Sequence, residues 1–182
     1  MKKVLVYLGA TMPEDNSYVE AVRQFGEELA RRGFSLLFGG SREGTMTVLA
    51  DAVLNNGGRA IGVFTKALPE KFLYHGLSET IITEDLAERK NTMFEKADAI
   101  VAFPGSFGTW DELFDALERI KIDVMQSRPA KPVAVLNLNG FYDGIVELLQ
   151  RSVKEGYTKE KYAELLHVEN TVEGLSNWLS AN

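Results

Sequence analysis

The stretch Pro104-Gly105-Ser106-Phe107-Gly108-Thr109-Trp110-Asp111-Glu112 gathers the residue types that hold a phosphate and set a carboxylate beside it. Glycines at 105 and 108 allow positive φ and let a ligand approach the backbone, and the free N–H groups of a helix start favour an anion. Glu112 has two readings. With Thr109 three residues earlier it spells a capping box, in which its carboxylate bonds back to the cap residue. One turn in from a phosphate-binding helix start, it equally reaches the sugar attached to that phosphate. Spacing alone favours the cap without separating the two.

These residues need a strand to carry them and a helix to receive them. The apolar run 99–103 reads as a buried strand, and Leu113, Leu117 and Ile120 recur at helical spacing, so the stretch is a strand-to-helix turn. The same unit occurs upstream. Residues 4–8 form an apolar run ended by Gly9, as in a strand buried on both faces of a parallel sheet. Gly9-Ala10-Thr11 turns the chain, Asn16-Ser17-Tyr18-Val19-Glu20 carries a capping box, and Tyr18, Val22, Phe25 and Leu29 line one helix face until Gly33. Residues 35–38 give a second strand, Gly39-Gly40-Ser41-Arg42-Glu43-Gly44 a second glycine-rich turn, and Met46, Leu49, Ala50 and Val53 the next helix. A third strand follows over 59–64. Two successive right-handed crossovers build a doubly wound, mostly parallel α/β sheet of Rossmann-like kind, flanked by helices on both faces.

Residues 79–83 read as a fourth strand and 86–96 as a helix with Leu86, Met93, Phe94 and Ala97 apolar. Arg89 and Lys90 interrupt that stripe. Such a pair is usually a solvated flank with its stems packed on apolar neighbours. The geometry gives another reason for it. The helix runs antiparallel to the strand after it, which lifts Arg89 about 10 Å above the helix end at ~1.5 Å per residue, level with the strand's carboxyl end. Ligands of open α/β sheets bind along that edge, and two cations there suit an anion. The segment 65–78 is irregular, with a short helix around 70–74, and reads as a lid or as an interface. A strand over 133–138 turned by Asn139-Gly140, helices over 142–155 and 158–165, an edge strand at His167-Val168 and a terminal helix over 171–179 complete one domain spanning 1–182.

A length of 182 residues suits one domain with a proper core, and 45% hydrophobic against 25% charged residues is ordinary globular composition. The net charge of −6 gives no general attraction for nucleic acid or anionic lipid, so neither is an expected partner and an anionic ligand must be held by local fields. The absence of cysteine excludes disulfides and thiolate metal sites and fits a reducing cytoplasm. His75 and His167 are too few for a metal cluster, and no metal is expected. The opening apolar run is too short for a signal peptide, and no segment reaches membrane length.

The first turn lacks the G-x-G-x-x-G dinucleotide fingerprint, and neither a Walker lysine nor a G-x-S-x-G elbow with a histidine partner is present. NAD chemistry, nucleoside triphosphate hydrolysis and serine esterase activity are therefore poor fits. On Pro104, Gly105, Gly108, Thr109 and Glu112, with Ser106 where a second glycine stands in P-G-G-x-G-T-x-x-E, the chain resembles the Lonely Guy family of cytokinin-activating phosphoribohydrolases. Arg89-Lys90, Gly9, Gly39-Gly40 with Ser41 in place of a third glycine, and Lys131-Pro132-Val133 through Asn137 and Gly140 extend the likeness over nearly the whole chain. Family members were often labelled lysine decarboxylases, but no pattern for a pyridoxal-phosphate lysine is visible.

The resemblance implies hydrolysis of the N-glycosidic bond of an adenosine-type nucleoside 5′-monophosphate, AMP or a cytokinin riboside monophosphate, to free base and ribose 5-phosphate, with no cofactor. It implies Arg89 and Glu112 as the catalytic residues, and substrate contacts at Gly9, Gly39, Gly40, Ser41, Lys90, Pro104, Gly105, Ser106, Phe107, Gly108, Thr109 and Asp111. It also implies a homodimer with the site near the subunit contact. Loss of a purine from ribose passes through an oxocarbenium-like state, which a carboxylate such as Glu112 stabilises while holding hydroxyls or water. Arg89 stays protonated and orients substrate or offsets negative charge. Asp111, a third of a turn away, does not share a sugar atom with Glu112. Two rivals remain: a carrier of the same fold that holds a nucleotide or phosphorylated cofactor without cutting it, and a purely structural domain, whose melting temperature no nucleotide would raise.

Overall fold

The computed structural model describes all 182 residues. In chain order the elements are β1 (Lys3–Tyr7), α1 (Asn16–Arg31), β2 (Ser35–Phe38), α2 (Gly44–Asn55), β3 (Arg59–Thr65), β4 (Glu79–Thr83) and α3 (Leu86–Lys96). They continue as β5 (Ala99–Ala102), α4 (Phe107–Met125), β6 (Val133–Leu136), α5 (Asp143–Lys154), α6 (Glu160–Ala163), β7 (Leu166–Glu169) and α7 (Val172–Ala181). The strands make one seven-stranded sheet in the order β4-β3-β2-β1-β5-β6-β7, and every pairing is parallel. The expected α/β doubly wound sheet is thus wholly parallel.

Alternation along the central strand builds a core on each face. Val4, Val6 and Leu8 join Phe25 and Leu29 of α1, Leu49 of α2 and Leu175 of α7 in one cluster. Leu5 and Tyr7 point the other way, into a second cluster with Met93 of α3 and Leu113 and Ile120 of α4. Each such fully buried large side chain contributes about 1.5–3 kcal/mol relative to exposure. Because β2 lies on one side of β1 and β5 on the other, the connections leaving β1 and β5 diverge, and the sheet opens a crevice at its carboxyl edge. No helix is long and apolar enough to cross a membrane.

Two helix starts differ from the sequence reading. The first helix is capped by Asp15, whose side chain accepts from the Ser17 amide, instead of by the box beginning at residues 16–17. The long helix α4 begins at Phe107 with Ser106 as its cap residue, two positions before Thr109. Thr109 therefore lies inside the first turn, and the Thr109–Glu112 capping box does not form. The irregular 65–78 segment contains a 3-10 turn at Glu70–Phe72 and is tied to the loop after β2: Arg42 N–H donates to Phe72 O at 2.8 Å and Tyr74 N–H to Gly40 O at 2.9 Å.

Candidate active site

Arg89 is delivered to the carboxyl edge by α3 and is gripped there by three elements. Its Nε donates to Val63 O of β3 at 2.9 Å, Nη2 to Gly39 O after β2 at 3.3 Å, and Nη1 to Glu112 Oε1 of α4 at 2.8 Å. Both side chains of the ion pair are nearly enclosed, 12% and 13% exposed. Three of the five guanidinium donors are used within the chain, which fixes the plane of the group and leaves the remaining ones for a ligand. The same is true of Glu112, whose Oε2 is free of partners in the chain while Oε1 is held. This settles the choice left by the spacing: the carboxylate faces Arg89, and does not fold back on the helix start.

Burial pushes the Glu112 carboxyl above its usual value, against the pull of the adjacent Arg89 guanidinium. The pair sits in a cavity of about 210 Å³ whose wall also includes Ala10, Gly39, Leu68, Ser106 and Thr109. Leu68 assigns the irregular segment a place in that wall. Above Glu112, the first intrahelical bond of α4 runs from Trp110 N to Ser106 O at 3.0 Å, so the N–H groups of Phe107, Gly108 and Thr109 precede the ladder. No side chain caps them. Their partial positive charge, beside Arg89, suits an anion.

Two glycines stand where side chains of the site come close to the backbone. A Cβ on Gly39 would lie 2.0 Å from Arg89 Nη2, and one on Gly105 would lie 2.2 Å from Thr109 Oγ1. The first makes room for the arginine and the second lets the loop after β5 fold onto the buried Thr109. Gly9 stands opposite, its carbonyl accepting from Thr45 Oγ1 at 2.8 Å.

Other sequence-predicted positions separate from this centre. Lys90, one residue round the helix from Arg89, lies outside the cavity and bonds Asp111 Oδ1 and Oδ2 at 3.1 and 3.0 Å. Lys90 and Asp111 thus pair with each other beside the site, because successive helix residues point about 100° apart. Ser41 is buried, its hydroxyl accepting from the Glu43 amide at 3.2 Å, and Gly40 takes a positive φ of 67° where the backbone meets Gly62. Both shape the turn without lining the cavity. Phe107 is 82% exposed and meets Trp110 edge-on, at 5.4 Å between ring centroids. Pro104, Gly105 and Ser106 line a second, neighbouring cleft of about 380 Å³, in which Tyr18 and Phe141 also take part. Sequence reasoning missed Thr45, Leu68, Tyr18 and Phe141; each reads as an ordinary helix-face or loop residue until the loops are folded together.

Neither cavity has a lysine in its wall, so an amine to hold pyridoxal phosphate by a Schiff base is lacking there. No group of three or more histidine, aspartate or glutamate side chains is arranged to hold a metal.

Fold and site together define an open α/β protein with a charged cavity at its switch point. The chain belongs to the family described as "Possible lysine decarboxylase", whose model matches residues 46–179. It is 32% identical over 165 residues to a probable cytokinin riboside 5′-monophosphate phosphoribohydrolase of Oryza sativa subsp. japonica, an alignment covering 90% of this chain and 72% of that one. Among solved structures, a structural-genomics target, TM1055, matches with a TM-score of 0.76 and 25% identity over 100% of both chains. A molybdenum cofactor binding protein of the phototrophic bacterium Rippkaea orientalis matches with a TM-score of 0.72 and 20% identity over 100% of this chain and 97% of that one, and shares the fold.

Proposed function

We propose that this protein hydrolyses the N-glycosidic bond of adenosine-type nucleoside 5′-monophosphates, AMP or a cytokinin riboside monophosphate, releasing free base and ribose 5-phosphate. The observation that carries the reading is the Arg89–Glu112 pair, at 2.8 Å, set beneath the uncapped first turn of α4. The phosphate rests on the amides of Phe107, Gly108 and Thr109. The ribose lies below it, with Glu112 Oε2 accepting from a hydroxyl or from water and its charge opposing the positive charge that develops at C1′. Arg89 orients Glu112 and meets the departing base with its free donors. The name borne by the rice relative supports the same chemistry. Lysine decarboxylation fits less well, since the cavity walls offer no lysine.

We further read the protein as a cytoplasmic homodimer of single-domain subunits. Phe107 and Phe114, seven residues apart on one stripe of α4, are 82% and 41% exposed, and Trp110 stands between them. An aromatic stripe of that kind beside the site suits contact with a second copy. The activity is tested by incubating the protein with AMP and with isopentenyl-AMP and separating the products by chromatography. Release of free base with equimolar ribose 5-phosphate is expected; binding without release identifies a carrier and overturns the reading.

A further inference from the structure

The switch-point crevice holds two chambers that meet at Ser106, the cap residue of α4. The charged one contains Arg89 and Glu112 and lies toward β2, through Gly39. The other, of about 380 Å³, lies toward β6 and contains neither catalytic side chain. No acidic, basic or histidine residue lines it; its walls include Met12, Tyr18, Val22, Phe103, Leu138 and Phe141. Tyr18 and Phe141 meet edge to face across 6.1 Å, a preformed aromatic corner. Hydroxyl groups enter the wall only through Thr11, Tyr18, Thr45 and Ser106, so a charged group would lose hydration there with no opposite charge to offset the cost, whereas an uncharged apolar group gains by entering.

On the proposed reading of the charged chamber, which this step rests on, the scissile C1′–N bond lies beside Glu112 and the base must follow the sugar into that chamber. The phosphate sits at the α4 start, on the boundary. The apolar chamber then opens on the side of the phosphorus away from the sugar. We infer that it receives an apolar alcohol esterified to the 5′-phosphate, so that nucleoside 5′-phosphodiesters carrying such a group are substrates beside the free monophosphates. Room is sufficient, since a cavity of ~150 Å³ already admits benzene. In the reaction the C1′–N bond breaks, the oxygen of water joins C1′, and the base leaves with the bonding electron pair and takes up a proton. The ester bonds at phosphorus are untouched, so the second product is ribose 5-phosphate still bearing its alcohol.

The test compares AMP with its benzyl phosphodiester, following adenine release by the wild type, Leu138→Trp, which fills the apolar chamber, and Phe141→Ala, which removes one wall at a position already 40% exposed. The wild type is expected to cleave the ester with kcat/KM no more than tenfold below that for AMP. The ratio of ester to AMP should fall at least tenfold in Leu138→Trp, and also fall in Phe141→Ala should the first variant fail to fold. Cleavage of AMP alone, or a ratio that neither variant changes, overturns the inference and leaves the monophosphate reading standing. If neither compound is cleaved, the hydrolase reading fails. Thermal shift then decides for the chamber: stabilisation by the ester beyond that by AMP, lost in the variants, supports it, and equal stabilisation overturns it.

Discussion

At the scale of single residues, Arg89 and Glu112 bond each other, and Arg89 is tied in addition to the sheet edge. Arg89 bonds Val63 O, Gly39 O and Glu112 in a planar fork that an ammonium cannot reproduce. Arg89→Lys should therefore lower kcat/KM for AMP by on the order of 10²-fold, an effect comparable to losing one oriented donor; steady-state kinetics check it, and a loss under threefold would remove Arg89 from the mechanism. Glu112 gives a pH signature. Its folded-state carboxyl is raised above the ordinary 4.5, chiefly by burial. A group that holds its proton more tightly when folded costs stability as the pH rises from below 4.5 through the raised value, and costs nothing below 4.5. Since the ionised form is the one that stabilises positive charge, the acid limb of kcat/KM should have its midpoint above 4.5, and a midpoint at or below 4.5 would contradict the assignment.

At the scale of elements, the turns position the pair. Gly39→Ala would put a methyl group 2.0 Å from Arg89 Nη2, the far end of a flexible side chain, so the fold should survive while the guanidinium is displaced. The expected result is a melting temperature close to wild type with activity lowered at least tenfold; retained activity would show that the arginine's position is not needed. The loop after β5 is anchored from beneath. Tyr142, fully buried on the chain entering α5, donates its hydroxyl to Phe103 O at 2.6 Å, and its amide donates to Asn137 Oδ1 at 2.7 Å. Tyr142→Phe should cost about 1–2 kcal/mol, a fall in melting temperature of roughly 2–8 °C for a chain of this size, measurable by calorimetry.

Much of this frame was legible in the sequence. The strands at 35–38 and 79–83 and the helix at 86–96 have the bounds expected, because unbroken apolar runs between glycine turns leave a parallel sheet as the way to bury them. The place of Arg89 at the carboxyl edge was legible too, from the rise per residue of a helix running antiparallel to the strand after it. The helix starts were less so: residues 15–17 and 106–109 offer several capping side chains in succession, and the choice among them depends on how the preceding loop packs. Lys90 and Asp111 show the same limit, since adjacent positions on a helix look equivalent in a motif and separate by a third of a turn in space. Nothing local marks Tyr18, Leu68 or Phe141, which enter the crevice walls only when loops from distant strands converge.

At the scale of the whole molecule, a net charge of −6 and an amide-lined mouth suited to an anion are reconciled by locality: the Arg89–Glu112 pair, with side chains 12% and 13% exposed, and the free amides act at close range, where salt screens them little. The wholly parallel sheet makes this arrangement available, because every strand ends at the same edge. The decisive measurement is Glu112→Gln, which keeps an oxygen to accept from Arg89 and removes only the charge. Turnover of AMP should fall by roughly 10²–10⁴-fold, the usual range for losing such a group, while calorimetry shows AMP binding within threefold of wild type. Unchanged turnover with unchanged binding would show that this carboxylate does not stabilise the positive charge that develops as the sugar–base bond breaks.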